Sequence, residues 1–270
     1  MQLAIDVGNT QVVIGLHDGV EWLQRWRVRT ERARTSDEWA SMLAGLFGLR
    51  GLRLADCSDI SIGSVVPGAI AALRDMSLAY CGAEPFVVGP GVKTGVRILT
   101  DNPREVGADR VLNALAAHER YGGPAIVVDF GTATTVDVVS VQGDYLGGAI
   151  APGLAISAEA LQRYTARLQE VELVRPARMV GRNTVECMQI GIVIGYAGLV
   201  ERLVAGVKAE LGEAKVIATG GLVSAVAQAT SAIDVIDEDL TLEGLRLMYE
   251  LNRGRMAAGA APVQAIGARG

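Results

Sequence analysis

Over residues 2–29 the apolar positions fall in short β-branched runs cut by glycine every few residues. Strands are expected at residues 2–6, 11–17 and 21–29, joined by turns through Gly8 and Asp18-Gly19, which makes a meander. The spacing then lengthens to that of helices. Thr35 with Glu38 three residues later has the form of a capping box and opens an amphipathic helix to about Leu49. Residues 60–66 read as a buried strand, followed after Pro67-Gly68 by a helix to about Tyr80 and a short strand at residues 85–88. Asn102 as cap and Pro103 at the first helical position can start the next helix, and Gly107 delays its regular part to Asp109. It runs to about Arg120 and stops at Tyr121-Gly122-Gly123-Pro124.

The second half repeats this order. Strands are expected at residues 125–129, 133–141 and 145–151, then a helix over residues 154–168 and a long helix capped by Asn183 or Thr184 that reaches toward Leu211. A strand at residues 215–218, a Thr219-Gly220-Gly221 turn with a short helix, a strand at residues 232–236 and a helix over residues 242–251 complete the pattern. Alternation of strand and helix after each meander predicts an α/β protein of two duplicated lobes, each a mixed β-sheet covered by helices, with a cleft between them. The lobes are assigned to residues 1–121 and 122–254, and the pattern-poor residues 255–270 to a flexible tail.

Composition narrows the function. Half of the 270 residues are hydrophobic, and 25 basic against 30 acidic side chains leave a net charge of -5, so no general basic field invites nucleic acid or anionic lipid. Cys57, Cys81 and Cys187 are odd in number and lack metal-ligand spacing, which argues against a disulfide framework or zinc site and for a reducing cytoplasm. The most apolar late run, residues 190–200, is too short to cross a bilayer, so a soluble chain is expected.

The chemistry sits where the two halves echo each other. Asp6-Val7-Gly8-Asn9-Thr10 and Asp129-Phe130-Gly131-Thr132 each end an apolar strand with a carboxylate and turn at glycine past small polar residues. Backbone N–H groups and hydroxyls in such turns donate to phosphate oxygens, and the carboxylate meets Mg²⁺ or potassium. Either turn alone could simply close a hairpin, but a carboxylate at the end of a buried strand is costly unless something cationic or hydrogen-bonding meets it. Thr132 is placed to reach phosphate, whereas Thr134 and Thr135 suit the strand itself. In Gly107-Ala108-Asp109-Arg110 a carboxylate can take a hydroxyl proton while the guanidinium holds an anionic acceptor, although an ordinary helix start fits the same residues. Arg25, Arg27 and Arg29 alternate along one strand face and read as a solvated edge; Trp22, Trp26 and Trp39 read as core or interface fillers, and His17 and His118 have no partner recognisable in sequence. A Walker-type phosphate loop is absent.

Taken together these motifs, with Asp101-Asn102-Pro103-Arg104-Glu105-Val106 ahead of Gly107, Gly148-Ala149-Ile150-Ala151-Pro152-Gly153, Gly181-Arg182-Asn183-Thr184 and Thr219-Gly220-Gly221, resemble the type III pantothenate kinase family across nearly the whole chain. That family lies within the superfamily of sugar kinases, acetate kinase and actin. The resemblance implies ribonuclease H-like lobes and ATP-dependent phosphorylation of pantothenate to 4'-phosphopantothenate, the first step of coenzyme A biosynthesis. It implies Asp109 as general base, and ATP bound by Asp6, Val7, Gly8, Asn9, Thr10, Gln11, Val12, Val13 and Thr132. Asp6 would meet Mg²⁺, and Asp129 would hold a monovalent cation, K⁺ or NH₄⁺. Thr100, Gly107, Ala108, Asp109 and Arg110 would shape the pantothenate site. A homodimer is implied too, with Thr184 reaching pantothenate bound mainly by the partner subunit. Two other readings fit the residues: a sugar or carboxylate kinase of the same superfamily, and a nucleotide-binding regulator without catalysis.

Overall fold

Two sheets with one strand order organise the chain, and each grows from a mostly buried central strand. In the computed structural model, which describes residues 1–257, the first half contains β1 (Gln2–Val7), β2 (Gln11–His17), β3 (Trp22–Arg29), α1 (Ser36–Gly48), β4 (Asp59–Ser64), α2 (Ala69–Met76), β5 (Phe86–Val87) and α3 (Ala108–Tyr121). The second half contains β6 (Ala125–Phe130), β7 (Ala133–Val139), β8 (Tyr145–Pro152), α4 (Leu154–Tyr164), α5 (Thr184–Gln189), α6 (Gly195–Leu211), β9 (Lys215–Thr219), α7 (Val223–Ala227), β10 (Val235–Ile236) and α8 (Leu240–Ala257). The order β3-β2-β1-β4-β5 recurs as β8-β7-β6-β9-β10. In both copies the first three strands are antiparallel and the last two join in parallel. The duplication read from sequence is therefore a duplication of topology.

The described residues divide into two compact units: Met1–Gly95, Val106–Leu112 and residues 241–257 form the first, and Val96–Glu105 with Asn113–Leu240 the second. In the first, Leu3, Ile5, Val12, Ile14, Ile60 and Ile62 turn to one face and bury Trp39, Leu43 and Phe47 of α1 and Leu73 and Met76 of α2. Each such side chain stabilises by about 1.5–3 kcal/mol. The capping box forms as the spacing predicts: Thr35 N–H donates to Glu38 Oε2 at 2.8 Å, and Glu38 N–H donates to Thr35 Oγ1 at 3.4 Å. The opposite face receives α8, where Trp22 Nε1 donates to Glu243 at 3.1 Å, the Phe86 and Tyr249 rings meet edge to face, and Tyr249 hydrogen-bonds Asp59.

In the second unit Ile126, Val128, Phe130, Val136, Val216 and Ala218 pack against Leu154, Ile192, Tyr196, Val200, Val204 and Val223. Several elements differ in extent from the sequence pattern. The helix after Gly153 ends at Tyr164, where Thr165 turns extended. The long helix after Asn183 contains a wider π turn at Ile190–Ile194. Taken as one stretch, Thr184–Leu211 has 28 residues and a mean hydropathy of 1.7 in its most apolar window, so by length and composition it could cross a membrane, which the shorter run 190–200 did not suggest. One face of it packs on the second sheet's core through Met188, Ile192, Tyr196, Val200 and Val204. The final helix runs from Leu240 through Ala257; the expected tail, residues 255–270, thus begins inside that helix and from residue 258 lies outside the described residues.

Candidate active site

Asp6 is the half-buried penultimate residue of an otherwise buried strand. Beyond it the turn is closed by Gly8 N–H donating to the Gln11 carbonyl at 3.0 Å, and it is held from outside by the chain that follows β3. Thr30 Oγ1 donates to the Gly8 carbonyl at 2.7 Å, Thr30 N–H donates to the Thr10 carbonyl at 3.0 Å, and Arg32 donates to Asn9 Oδ1 at 3.4 Å. Asn9, Thr10 and Gln11 are exposed, so the turn presents its polar atoms to solvent. Val7 and Val12 point into the core, which leaves them only backbone atoms to offer a ligand. Val13, opposite Asp6 in the register, shares its face. Thr30 and Arg32 are holders of this turn that the sequence pattern did not reveal.

The second turn is built differently around its carboxylate. Asn113 is buried on α3, and its Nδ2 donates to Asp129 Oδ2 at 3.1 Å. The other oxygen lies beside Gly220, whose φ of +99° and lack of a side chain allow the approach: a Cβ there would stand 2.6 Å from Asp129 Oδ1 and from the Phe130 backbone. Thr132 is exposed at the turn. Thr134 instead accepts a hydrogen bond from the buried Tyr196 hydroxyl at 3.1 Å, and Thr135 donates to Asp137 at 2.7 Å, so both serve the interior.

Carboxylate oxygens such as those of Asp6 and Asp129 suit hard cations. Among the described residues no three His, Cys, Asp or Glu side chains cluster as a metal cage. Magnesium characteristically takes one or two carboxylates and completes its shell with substrate phosphate and water. Asp6, with Gly63 beside it leaving Oδ1 uncrowded, fits that demand. Asp129, with one oxygen oriented by an amide and one facing a glycine turn, fits a single weakly held cation.

Gly107, Ala108, Asp109 and Arg110 lie together at the start of α3 and are half-buried. Asp109 Oδ1 accepts the Arg110 N–H at 2.9 Å. A Cβ on Gly107 would stand 2.5 Å from the same oxygen, so glycine at this position makes room for the carboxylate. Thr100 is carried on a segment fastened to β8. Tyr145 N–H donates to the Arg97 carbonyl at 2.8 Å and Leu99 N–H to the Tyr145 carbonyl at 2.9 Å. Arg97 grips Asp144 with two hydrogen bonds of 2.7 and 2.6 Å, and this guanidinium holds the Asp144 carboxyl below its ordinary range. The Thr100 hydroxyl oxygen is buried without a hydrogen-bond partner among the described residues. A buried unpaired hydroxyl is a cost that a ligand group can relieve. Thr184 is exposed as the first residue of α5, which Asn183 caps by accepting Glu186 N–H at 2.9 Å.

Several of the blander features find structural partners, whereas His118 Nδ1 and Trp39 Nε1 are buried without a hydrogen-bond partner among the described residues. His17 Nδ1 accepts Gly19 N–H at 3.0 Å, and burial lowers its pKa. Trp26 stacks on Phe47, and Trp39 is buried beneath Arg34. The three cysteines are free thiols.

A twice-repeated five-strand order, with a carboxylate ending the central strand each time, defines the fold class shared by sugar kinases, acetate kinase and actin. The activator of 2-hydroxyisocaproyl-CoA dehydratase from Clostridium difficile, solved with ADPNP, has this fold (TM-score 0.55, 13% identity, 99% of each chain covered). So does a Sinorhizobium meliloti protein assigned as a 2-dehydro-3-deoxygalactonokinase (TM-score 0.56, 10% identity, 99% of this chain and 100% of that one). Residues 2–206 match the family model of type III pantothenate kinase. Type III pantothenate kinases of Geobacter sulfurreducens and Moorella thermoacetica are 52% and 51% identical, over 94% and 93% of this chain and 100% of theirs. The chain belongs to the type III pantothenate kinase family, a family of phosphate-transferring enzymes.

Proposed function

We propose that the chain phosphorylates pantothenate at its primary hydroxyl with ATP, the first step toward coenzyme A, and that Asp109 is the base. The observation that carries this reading is full-length similarity to enzymes named for that substrate, with all three candidate carboxylates present. The turn from Asp6 to Val13 and Thr132 bind the ATP phosphates. Magnesium at Asp6 and a monovalent cation at Asp129 would supply charge neutralisation on the phosphate oxygens. Asp109 accepts the hydroxyl proton as the pantothenate oxygen bonds to the terminal phosphorus, and the bond from that phosphorus to the bridging oxygen breaks to release ADP. Arg110 holds the pantothenate carboxylate, while Thr100, Gly107 and Ala108 shape the pocket around it.

The same reading includes a homodimer in which Thr184 reaches pantothenate bound on the partner subunit. Its support is the apolar stretch Thr184–Leu211, only 33% buried in its most apolar window, with Val185 about half exposed. Free thiols and the net charge of -5 favour the cytoplasm as its setting.

The test is a coupled ADP-release assay with pantothenate and a panel of sugars and other alcohols, run in potassium and in sodium. Pantothenate-dependent turnover that needs potassium supports the reading. Turnover with a sugar and none with pantothenate overturns it.

A further inference from the structure

We propose that Arg27 is a nucleotide-binding residue whose guanidinium contacts the ATP phosphates held at the Asp6 turn; the inference rests on the kinase reading above. Residues 1–20 contain no Lys or Arg, so the turn that would receive a triphosphate brings no fixed cation of its own. The neighbouring strand supplies one. In the register of the first sheet Gly63, Asp6, Val13 and Arg27 form one row across β4, β1, β2 and β3. Residues opposite each other in register share a face, and strands lie about 4.8 Å apart, so Arg27 stands two strands from Asp6 with only the short Val13 side chain between.

That orientation is fixed by packing. Trp26 stacks on Phe47 at 5.3 Å, and Val28 joins the same core, which turns Arg27 to the Asp6 face, where it is exposed. Arg25 lies one row further from the turn, opposite Gly15, where the Trp22 ring and Leu242 close over the sheet. Arg29 lies opposite Gln11, one row beyond Asp6 on the other side. Thr30 ties this end of β3 directly to the turn through the carbonyls of Gly8 and Thr10.

The duplicated sheet shows that the fold itself does not ask for a cation here. Its corresponding row, Thr219, Asp129, Thr135 and Ile150, ends in an isoleucine. A guanidinium is suited to phosphate because its planar fork donates two parallel hydrogen bonds and keeps its charge at every working pH. Arg25, Arg27 and Arg29 are thus not one solvated edge: the middle member has a position of its own.

The experiment compares Arg27→Gln, Arg27→Lys and Arg25→Gln with wild type in steady-state kinetics and in calorimetric titration with ATP and with adenosine. Arg27→Gln is expected to raise KM for ATP about tenfold or more and weaken ATP binding to match, since a lost charged hydrogen bond is worth at least a decade. KM for pantothenate and adenosine binding stay within about twofold, Arg27→Lys recovers part of the loss, and Arg25→Gln behaves as wild type. Equal effects of Arg27→Gln and Arg25→Gln, an unchanged KM for ATP, or a shift in pantothenate KM instead would each overturn the assignment. Should Arg27→Gln fail to fold, Arg27→Lys decides alone: wild-type ATP affinity and salt dependence in it would refute a bidentate contact. Wild-type protein that binds ATP but does not phosphorylate pantothenate would sink the kinase reading while the titrations still judge Arg27.

Discussion

Adding one methyl group at residue 107 tests whether the position of the Asp109 carboxylate sets the rate. Gly107 has no left-handed backbone angle, so alanine fits the chain there without strain. Its Cβ, however, would stand 2.5 Å from Asp109 Oδ1, where ordinary contact begins at 3.4 Å. The carboxylate must therefore retreat by about 1 Å and give up its hydrogen bond from Arg110 N–H. Because the obstructed atom ends a flexible side chain, the fold loses only about 1 kcal/mol, and the melting midpoint moves by no more than about 4 °C. A misplacement of this size costs about 100-fold in rate, or ~2.7 kcal/mol of transition-state stabilisation. Initial rates of Gly107→Ala at saturating ATP and pantothenate, paired with a thermal melt, read both quantities. A kcat within twofold of wild type would refute the reasoning, and so would a loss of rate that merely follows a large drop in the melting midpoint.

Three further outcomes follow from particular contacts. Thr134→Val leaves the Tyr196 hydroxyl buried without its acceptor and should cost about 1–3 kcal/mol in a urea melt, with steady-state constants unchanged; a raised KM for ATP would contradict its purely structural role. Asn113→Ala removes the amide that orients Asp129, so the potassium concentration for half-maximal activation should rise about tenfold while the pantothenate KM holds; an unaltered potassium curve would dissociate Asn113 from the cation. Arg97 holds the Asp144 carboxyl below its ordinary value of 3.8, so the stability this pair contributes is complete above that value and is lost as pH falls through the lower folded-state pKa. The difference in melting midpoint between wild type and Asp144→Asn should accordingly be largest near pH 7 and shrink toward pH 3; a constant difference would contradict the assignment.

The parts of the fold that were legible in the sequence are those written in local spacing. The strand-Asp-Gly-Thr echo gave the duplicated topology because each copy carries its own buried strand, carboxylate and turn within a dozen residues. The Thr35 to Glu38 spacing specified a cap that needs no tertiary partner. Features that depend on distant packing were hidden. Asn113 reads as one polar residue in an apolar helix until the strand carrying Asp129 is laid beside it. Thr30 and Arg32 lie in a polar stretch with no pattern, and their bonds to Gly8, Thr10 and Asn9 arise only once the meander closes. The end of α4 at Tyr164 carries no glycine or proline signal, and Gly191 alone does not distinguish the π turn at Ile190–Ile194 from a regular helix. Arg27 shows the same limit: alternation tells which face it shares with Arg25 and Arg29, whereas register tells which of the three lies in the Asp6 row.

The central claim is that Asp109 removes the acceptor proton while other groups bind the substrates. Single-turnover phosphorylation by Asp109→Asn, measured beside calorimetric titrations of ATP and pantothenate, tests it most directly. The account predicts affinities within a few-fold of wild type and a chemical step slowed by about 10²–10⁴. A variant that phosphorylates pantothenate at the wild-type rate, or that loses activity only because it no longer binds pantothenate, would contradict it.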